Sequence, residues 1–157
     1  MRTIHRDIVS ALLLSKDGKL LQGRKDSSKG GVYADCWHIP GGGIDAGEEK
    51  VYALIREVRE ETGIDVSAYP IELVDDQGGG MGEKTLKDTG ETVLCEMKFF
   101  VYRVVLGDQN AEDVGVSLND DLVEYAWTDL AELNRLKLTP PSVELFKRLG
   151  YLPGPVS

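Results

Sequence analysis

The sequence predicts a single α+β domain around a mixed β-sheet, and three observations carry that reading. Residues 48–62 show the apolar period of an amphipathic helix. Apolar, β-branched stretches bounded by glycine turns precede and follow it. The chain of 157 residues contains no internal repeat and no Pro- or Ser-rich linker, so it is one domain, spanning 1–157.

Taken in order, residues 7–14 and 19–24 are apolar stretches separated by Lys16-Asp17-Gly18. An Asp-Gly step between apolar runs predicts a hairpin, because Gly accepts the positive φ of a tight turn. Residues 25–34, with Ser27-Ser28-Lys29-Gly30-Gly31, read as an exposed loop, and Trp37-His38-Ile39 as a short strand stopped by Pro40 and Gly41-Gly42-Gly43. In the helix, Val51, Leu54, Ile55 and Val58 fall at i, i+3, i+4, i+7, and Gly63 stands where a left-handed helix end belongs. Residues 71–74 and 92–105 are strand candidates. Between them, 75–91 carries five glycines without periodicity and reads as a long loop of functional or mobile character. A second polar loop spans 107–121, followed by a short strand at 124–128 and a helical turn from 129 to 133. Thr139-Pro140-Pro141 opens a terminal helix that Gly150 stops, and the tail 151–157 is expected to fray.

Composition excludes several classes. The formal charge of −9, from 18 basic and 27 acidic residues, argues against duplex nucleic acid or an anionic membrane as partner. The apolar run 8–14 is too short to span a bilayer; Arg2 and Arg6 ahead of it imitate a signal peptide, but no small-residue cleavage site follows. Cys36 and Cys95 lack metal-site spacing and read as reduced thiols of a cytoplasmic protein. With His5 and His38 the only histidines, a His-based zinc site or catalytic triad is disfavoured.

The chemistry concentrates on the helix. Glu57, Glu60 and Glu61 stand at i, i+3, i+4, so the three carboxylates emerge on one side, away from the apolar stripe. Such a cluster repels itself in the absence of cations, and hard ions such as Mg²⁺ or Mn²⁺ prefer carboxylate oxygens. A glycine run just ahead of it lets backbone approach a ligand closely. The plain alternative is a solvated acidic helix face.

Spacing decides between them. Gly42, five residues, Glu48, seven residues, then Arg56-Glu57-Val58-Arg59-Glu60-Glu61-Thr62-Gly63-Ile64 resembles the Nudix box over 42–64, with every specified position matched. Seven specified letters at roughly 7% usage each match by chance at about 10⁻⁸ per start point. The resemblance implies a Nudix fold, an α/β/α sandwich around a mixed sheet, and hydrolysis of a nucleoside diphosphate linked to a moiety X. It implies Glu57, Glu60 and Glu61 as metal ligands, with one of them or a water they hold serving as base. Arg56 and Glu48 are the supporting ion pair, and the carbonyls of Gly41 and Gly42 complete the Mg²⁺ site, where Mn²⁺ can substitute. Family members place a further acid late in the chain. Asp120, Asp121 and Glu124 stand at a suitable distance, with Asp121 the candidate ligand. Phosphate or substrate contacts are expected from Arg24, Lys25 or Arg59, and from His38, Gly42 and Gly43. Tyr33, Trp37 and Phe100 are candidates to stack a base, although each suits core packing.

The expected substrate is a nucleoside triphosphate or a modified one, giving monophosphate plus pyrophosphate. ADP-ribose or a sugar nucleotide is the alternative enzyme reading, and a nucleotide-sensing module without turnover the alternative class. Many relatives are homodimers. Two further patterns mislead: Gly41–Ala46 satisfies a dinucleotide-binding spacing without repeated βαβ units, and Gly78–Thr85 imitates a P-loop with Glu83 interrupting the Gly-Lys step.

Overall fold

A computed structural model describes residues 1–26, 28, 33–119 and 122–156. Among the described residues the sheet contains seven strands: β1 (Thr3–Ser15), β2 (Lys19–Lys25), β3 (Trp37–His38), β4 (Gly41–Gly43), β5 (Glu72–Thr85), β6 (Thr92–Leu106) and β7 (Leu122–Asp129). The helices are α1 (Lys50–Thr62) and α2 (Pro140–Arg148), with 3₁₀ turns at Ala111–Asp113 and Leu130–Arg135. The main strand order is β3-β2-β1-β6-β5; β4 pairs β1 and β7 pairs β2. β1 and β6 run parallel while the other pairs are antiparallel, so the sheet is mixed as the sequence predicts.

Alternation along β1 sorts the core into two layers. Val9, Ala11 and Leu13 face α1, where they meet Ala53, Leu54 and Val58. Leu12 joins Leu20, Val101, Leu133, Leu145 and Phe146 on the α2 side. The α/β/α sandwich follows from burying both faces of the sheet. The helix stripe differs in detail from its expected composition: Ala53, Leu54 and Val58 are fully buried, whereas Val51 is 39% exposed. Val51 lies in the first turn of α1 and lines a surface pocket with His5, Arg6 and Asp7 of β1.

Turn chemistry behaves as expected. Gly18 takes φ 79° and donates to Ser15 O, closing the β1–β2 hairpin. Gly63 takes φ 74° and donates to Arg59 O at 2.9 Å, ending α1. Thr139 caps α2 by accepting from Ser142 N at 3.1 Å, with Pro140 in the first turn. The tail is anchored at its start, because Tyr151 N and Leu152 N both donate to Phe146 O.

The largest departure concerns residues 75–91. The glycine-rich segment continues β5 to Thr85, antiparallel to β6, with register shifts between Leu73 and Asp75 and between Asp75 and Gly78. Glycine disfavours strand locally, but the long apolar β6 supplies a continuous ladder for it. That placement also removes the P-loop likeness, since no helix follows. The dinucleotide pattern falls likewise, because β4 pairs antiparallel with β1. Among the described residues no helix is long and apolar enough to cross a membrane.

Candidate active site

Three successive glycines in β4 each permit a different close approach. A Cβ on Gly41 would lie 2.7 Å from Ser10 Cα, one on Gly42 would strike the Glu57 carboxylate, and one on Gly43 would strike the Arg6 guanidinium. The strand therefore forms a thin partition, with α1 carboxylates against one side and Arg6 against the other.

On the α1 side, Glu61 is only 8% exposed, and its Oε1 accepts from Gly41 N at 2.7 Å. Arg56 grips Glu48 through two bonds, Nε to Oε2 and Nη2 to Oε1, both 2.8 Å. Its Nη1 donates to Glu57 Oε1 at 2.9 Å and to Glu60 Oε2 at 3.2 Å, and its Nη2 to Gly43 O at 3.1 Å. One guanidinium thus ties the box glutamates to the glycine strand, as a planar fork of five donors allows. Arg56 and the Asp45 amide hold the Glu48 carboxyl down at about 2. The same carboxylates raise the Arg56 pKa further above its already high value.

Glu57 and Glu61 are the recessed carboxylates, whereas the Glu60 side chain is 47% exposed on the outer flank. Among the described residues no three acidic, His or Cys side chains converge into a closed metal cage. The donors nevertheless suit a hard divalent ion in kind: carboxylate oxygens stand beside glycine backbone, in space that a Gly42 side chain would fill. The loop before β7 reaches this place too, with Ser117 N donating to Thr62 O and Asn119 N to Glu61 O. Asp120 and Asp121 follow directly, but they lie outside the described residues.

Across β4 opens a cavity of about 930 Å³ on the α2 side of the sheet. Gly41, Gly42, Gly43, His38 and Lys25 line it, as does Tyr33. Arg24 does not. Arg24 pairs instead with Glu124 and with Asp35 at 2.9 Å. Arg59 pairs with Asp65 at 3.0 Å, also off the cavity. His38 Nε2–H donates to Tyr33 O at 3.3 Å; burial, aided by Lys25, lowers its pKa to about 4. Phe100 packs against the opposite core layer, with Lys50 Nζ 4.7 Å from its ring centre.

Arg6, Lys84, Lys87, Met97 and Phe99 also line the cavity, and the sequence alone assigns none of them to the site. The available signal was a period of two: Gly78, Gly80, Gly82 and Lys84 share one face of β5, opposite Phe99, Met97, Cys95 and Val93.

The NUDIX domain family matches residues 4–149. An RNA pyrophosphohydrolase of Novosphingobium aromaticivorans is 42% identical over 60 residues, 38% of this chain and 35% of that protein. The nucleoside triphosphatase NudI of Enterobacter sp. (strain 638) is 29% identical over 150 residues, covering 94% of this chain and 98% of that protein. The crystal structure of a MutT protein from Methanosarcina mazei Go1 superposes with a TM-score of 0.70 at 24% identity, covering 96% of both chains. With a complete box running from β4 through α1, its Glu57 and Glu61 set against β4 and a family match over nearly the whole length, the chain belongs to the Nudix family of hydrolases, which cleave the anhydride linkage of nucleoside diphosphate-X compounds.

Proposed function

We propose that the protein is a Mg²⁺-dependent pyrophosphohydrolase that converts a nucleoside triphosphate to its monophosphate and pyrophosphate. The observation that carries this reading is the Glu61–Gly41 contact. It fixes a recessed carboxylate against the glycine partition, with Glu57 beside it and a nucleotide-sized cavity across β4.

Glu57 and Glu61, with glycine backbone carbonyls of β4, would hold the ion, and Glu60 would complete the set. When bound, Mg²⁺ neutralises diphosphate charge and lowers the pKa of coordinated water. The chain's own residues supply the remainder. Arg56, anchored on Glu48, orients Glu57 and Glu60. A box carboxylate accepts the proton of the attacking water as its oxygen bonds to phosphorus and the bridging P–O bond breaks. Lys25 and Arg6 face the substrate's anionic portion from the cavity. The apolar wall of Ile8, Ile39 and Phe99 suits the nucleoside. Cys36 and Cys95, both buried and unpaired, support a reducing cytoplasmic setting.

The test is turnover with Mg²⁺ on a panel of nucleoside triphosphates, 5′-triphosphate RNA, ADP-ribose and sugar nucleotides, with products identified. The expected result is fastest cleavage of a triphosphate to monophosphate and pyrophosphate. No hydrolysis of any member would overturn the enzyme reading, and preference for ADP-ribose would overturn the substrate.

A further inference from the structure

We propose that Arg6, Lys25, Lys84 and Lys87 form a phosphate subsite that selects substrates with three or more consecutive phosphates. The proposal rests on the pyrophosphohydrolase reading above and specifies which groups distinguish a triphosphate from a diphosphate bridged to sugar.

The four cations line one cavity in a protein of formal charge −9. Glu83 is the one described carboxylate lining it, and Arg148, the fifth lining cation, is neutralised by Asp75 through two bonds of 2.8 and 2.9 Å. The remaining four repel one another. Burial lowers the Lys84 pKa, and the nearby charges of Arg6, Lys25 and Lys87 lower it further. Holding these groups together is unfavourable unless an anion joins them, because like charges at short range disfavour the charged forms.

Strand register then orders the cavity. Ser10 lies beside Val101, Ile8 beside Phe99 and Arg6 beside Met97, so the lining runs from an apolar end under α2 to a basic end at the β5–β6 turn. Across the sheet, Gly78, Gly80 and Gly82 contribute no side chains along the same face, and Lys84 is the first that projects. A Cβ on Gly80 would come within 2.8 Å of Tyr33 Oη and one on Gly78 within 3.0 Å of Arg148 Nη2, so these glycines admit the Tyr33 and Arg148 side chains that line the cavity beside the lysines. β4 lies alongside, with Gly43 against Arg6. A diphosphate held at Gly41–Gly43 ends near Arg6, and a further phosphate continues onto Lys84 and Lys87.

The test is titration calorimetry with inorganic tripolyphosphate and pyrophosphate, each with Mg²⁺, on the wild type and on Lys84→Gln/Lys87→Gln. The wild type is expected to bind tripolyphosphate more tightly, and the double variant to lose tenfold or more on tripolyphosphate but under threefold on pyrophosphate. Lys84→Arg/Lys87→Arg is expected to restore the preference, which a merely misfolded hairpin would not. Equal losses on both ligands, or no wild-type preference, would overturn the subsite. Turnover on a free nucleoside triphosphate against a 5′-triphosphate oligoribonucleotide identifies the source of the triphosphate. A wild type that binds tripolyphosphate with this signature yet hydrolyses nothing refutes the enzyme reading alone.

Discussion

Glu61 Oε1 and Gly41 N, twenty residues apart, are joined by a 2.7 Å hydrogen bond that links α1 to the glycine strand. The bond explains why a carboxylate tolerates burial here: a backbone donor compensates part of its lost hydration.

The pair separates charge from structure by mutation. Glu61→Gln keeps an oxygen acceptor for Gly41 N–H but removes the negative charge that a divalent ion requires. Its thermal midpoint is expected to stay close to that of the wild type while kcat/KM falls at least ~10²-fold. Glu61→Ala also leaves the amide unpartnered and is expected to cost a further ~1–3 kcal/mol in stability. Near-normal turnover by Glu61→Gln would remove Glu61 from the metal set.

Glu48 is expected to govern stability in strong acid. Arg56 holds its folded-state pKa at about 2, below the ordinary 4.5, so its contribution is complete above pH 4.5 and disappears as pH falls toward 2. Wild type and Glu48→Gln should therefore differ in denaturant midpoint at pH 6 and converge by pH 2. A gap that stays constant across that range would show that the pair adds no pH-dependent stability. At neutral pH the same variant should lose part of its activity, because the introduced glutamine offers Arg56 one neutral oxygen in place of a carboxylate that accepts both its Nε and Nη2, and Arg56 in turn positions Glu57.

Asp75 and Arg148 connect β5 to α2, with side chains only 7% and 19% exposed. Removing one member of such a pair leaves an uncompensated, largely buried charge, a far larger penalty than losing a surface ion pair. Asp75→Ala is expected to destabilise by roughly 3 kcal/mol, a drop of about 6–12 °C in melting temperature for a domain of this size. Asp75→Ala/Arg148→Met should recover part of the loss. A shift below 2 °C for the single variant would place the pair among ordinary surface contacts.

What the sequence revealed and what it hid follow from range. The α1 box was legible because Arg56, Glu57, Glu60 and Glu61 share a helix, and helical spacing alone sets their side. Gly18 and Gly63 were legible because each turn needs a positive φ. The β5 extension was hidden because its glycines argue locally for a loop, whereas its partner β6 lies beyond the β5–β6 turn. Arg6 was hidden for the same reason: its place beside Gly43 depends on β4 pairing with β1. Choosing between Arg24 and Lys25 required the ion pair that takes up Arg24, whose partner Glu124 lies a hundred residues along the chain. Pairing between elements accounts for each of these differences; the one local signal, the period of two through Gly78, Gly80, Gly82 and Lys84, does not say which strand lies opposite.

His38 offers a reading of the cavity's electrostatics through stability. Burial and the Lys25 charge lower its pKa from 6.5 to about 4, so the folded protein holds the ring neutral. The contribution from keeping it neutral is complete above pH 6.5, where the unfolded chain is also unprotonated, and drains away as pH falls toward 4. The wild type should lose roughly 3 kcal/mol more than His38→Gln over that interval, the free energy of about 2.5 pKa units. Urea unfolding at pH 7.5, 5.5 and 4 measures it. Lys25→Gln should raise the His38 pKa, seen as an earlier shift of the ring proton resonances, because one of the two causes is removed. If the wild type and His38→Gln lose stability in parallel from pH 7.5 to 4, the ring is not held neutral. The cavity would then be wetter and less cationic than the arrangement of Lys25, Lys84 and Arg6 requires.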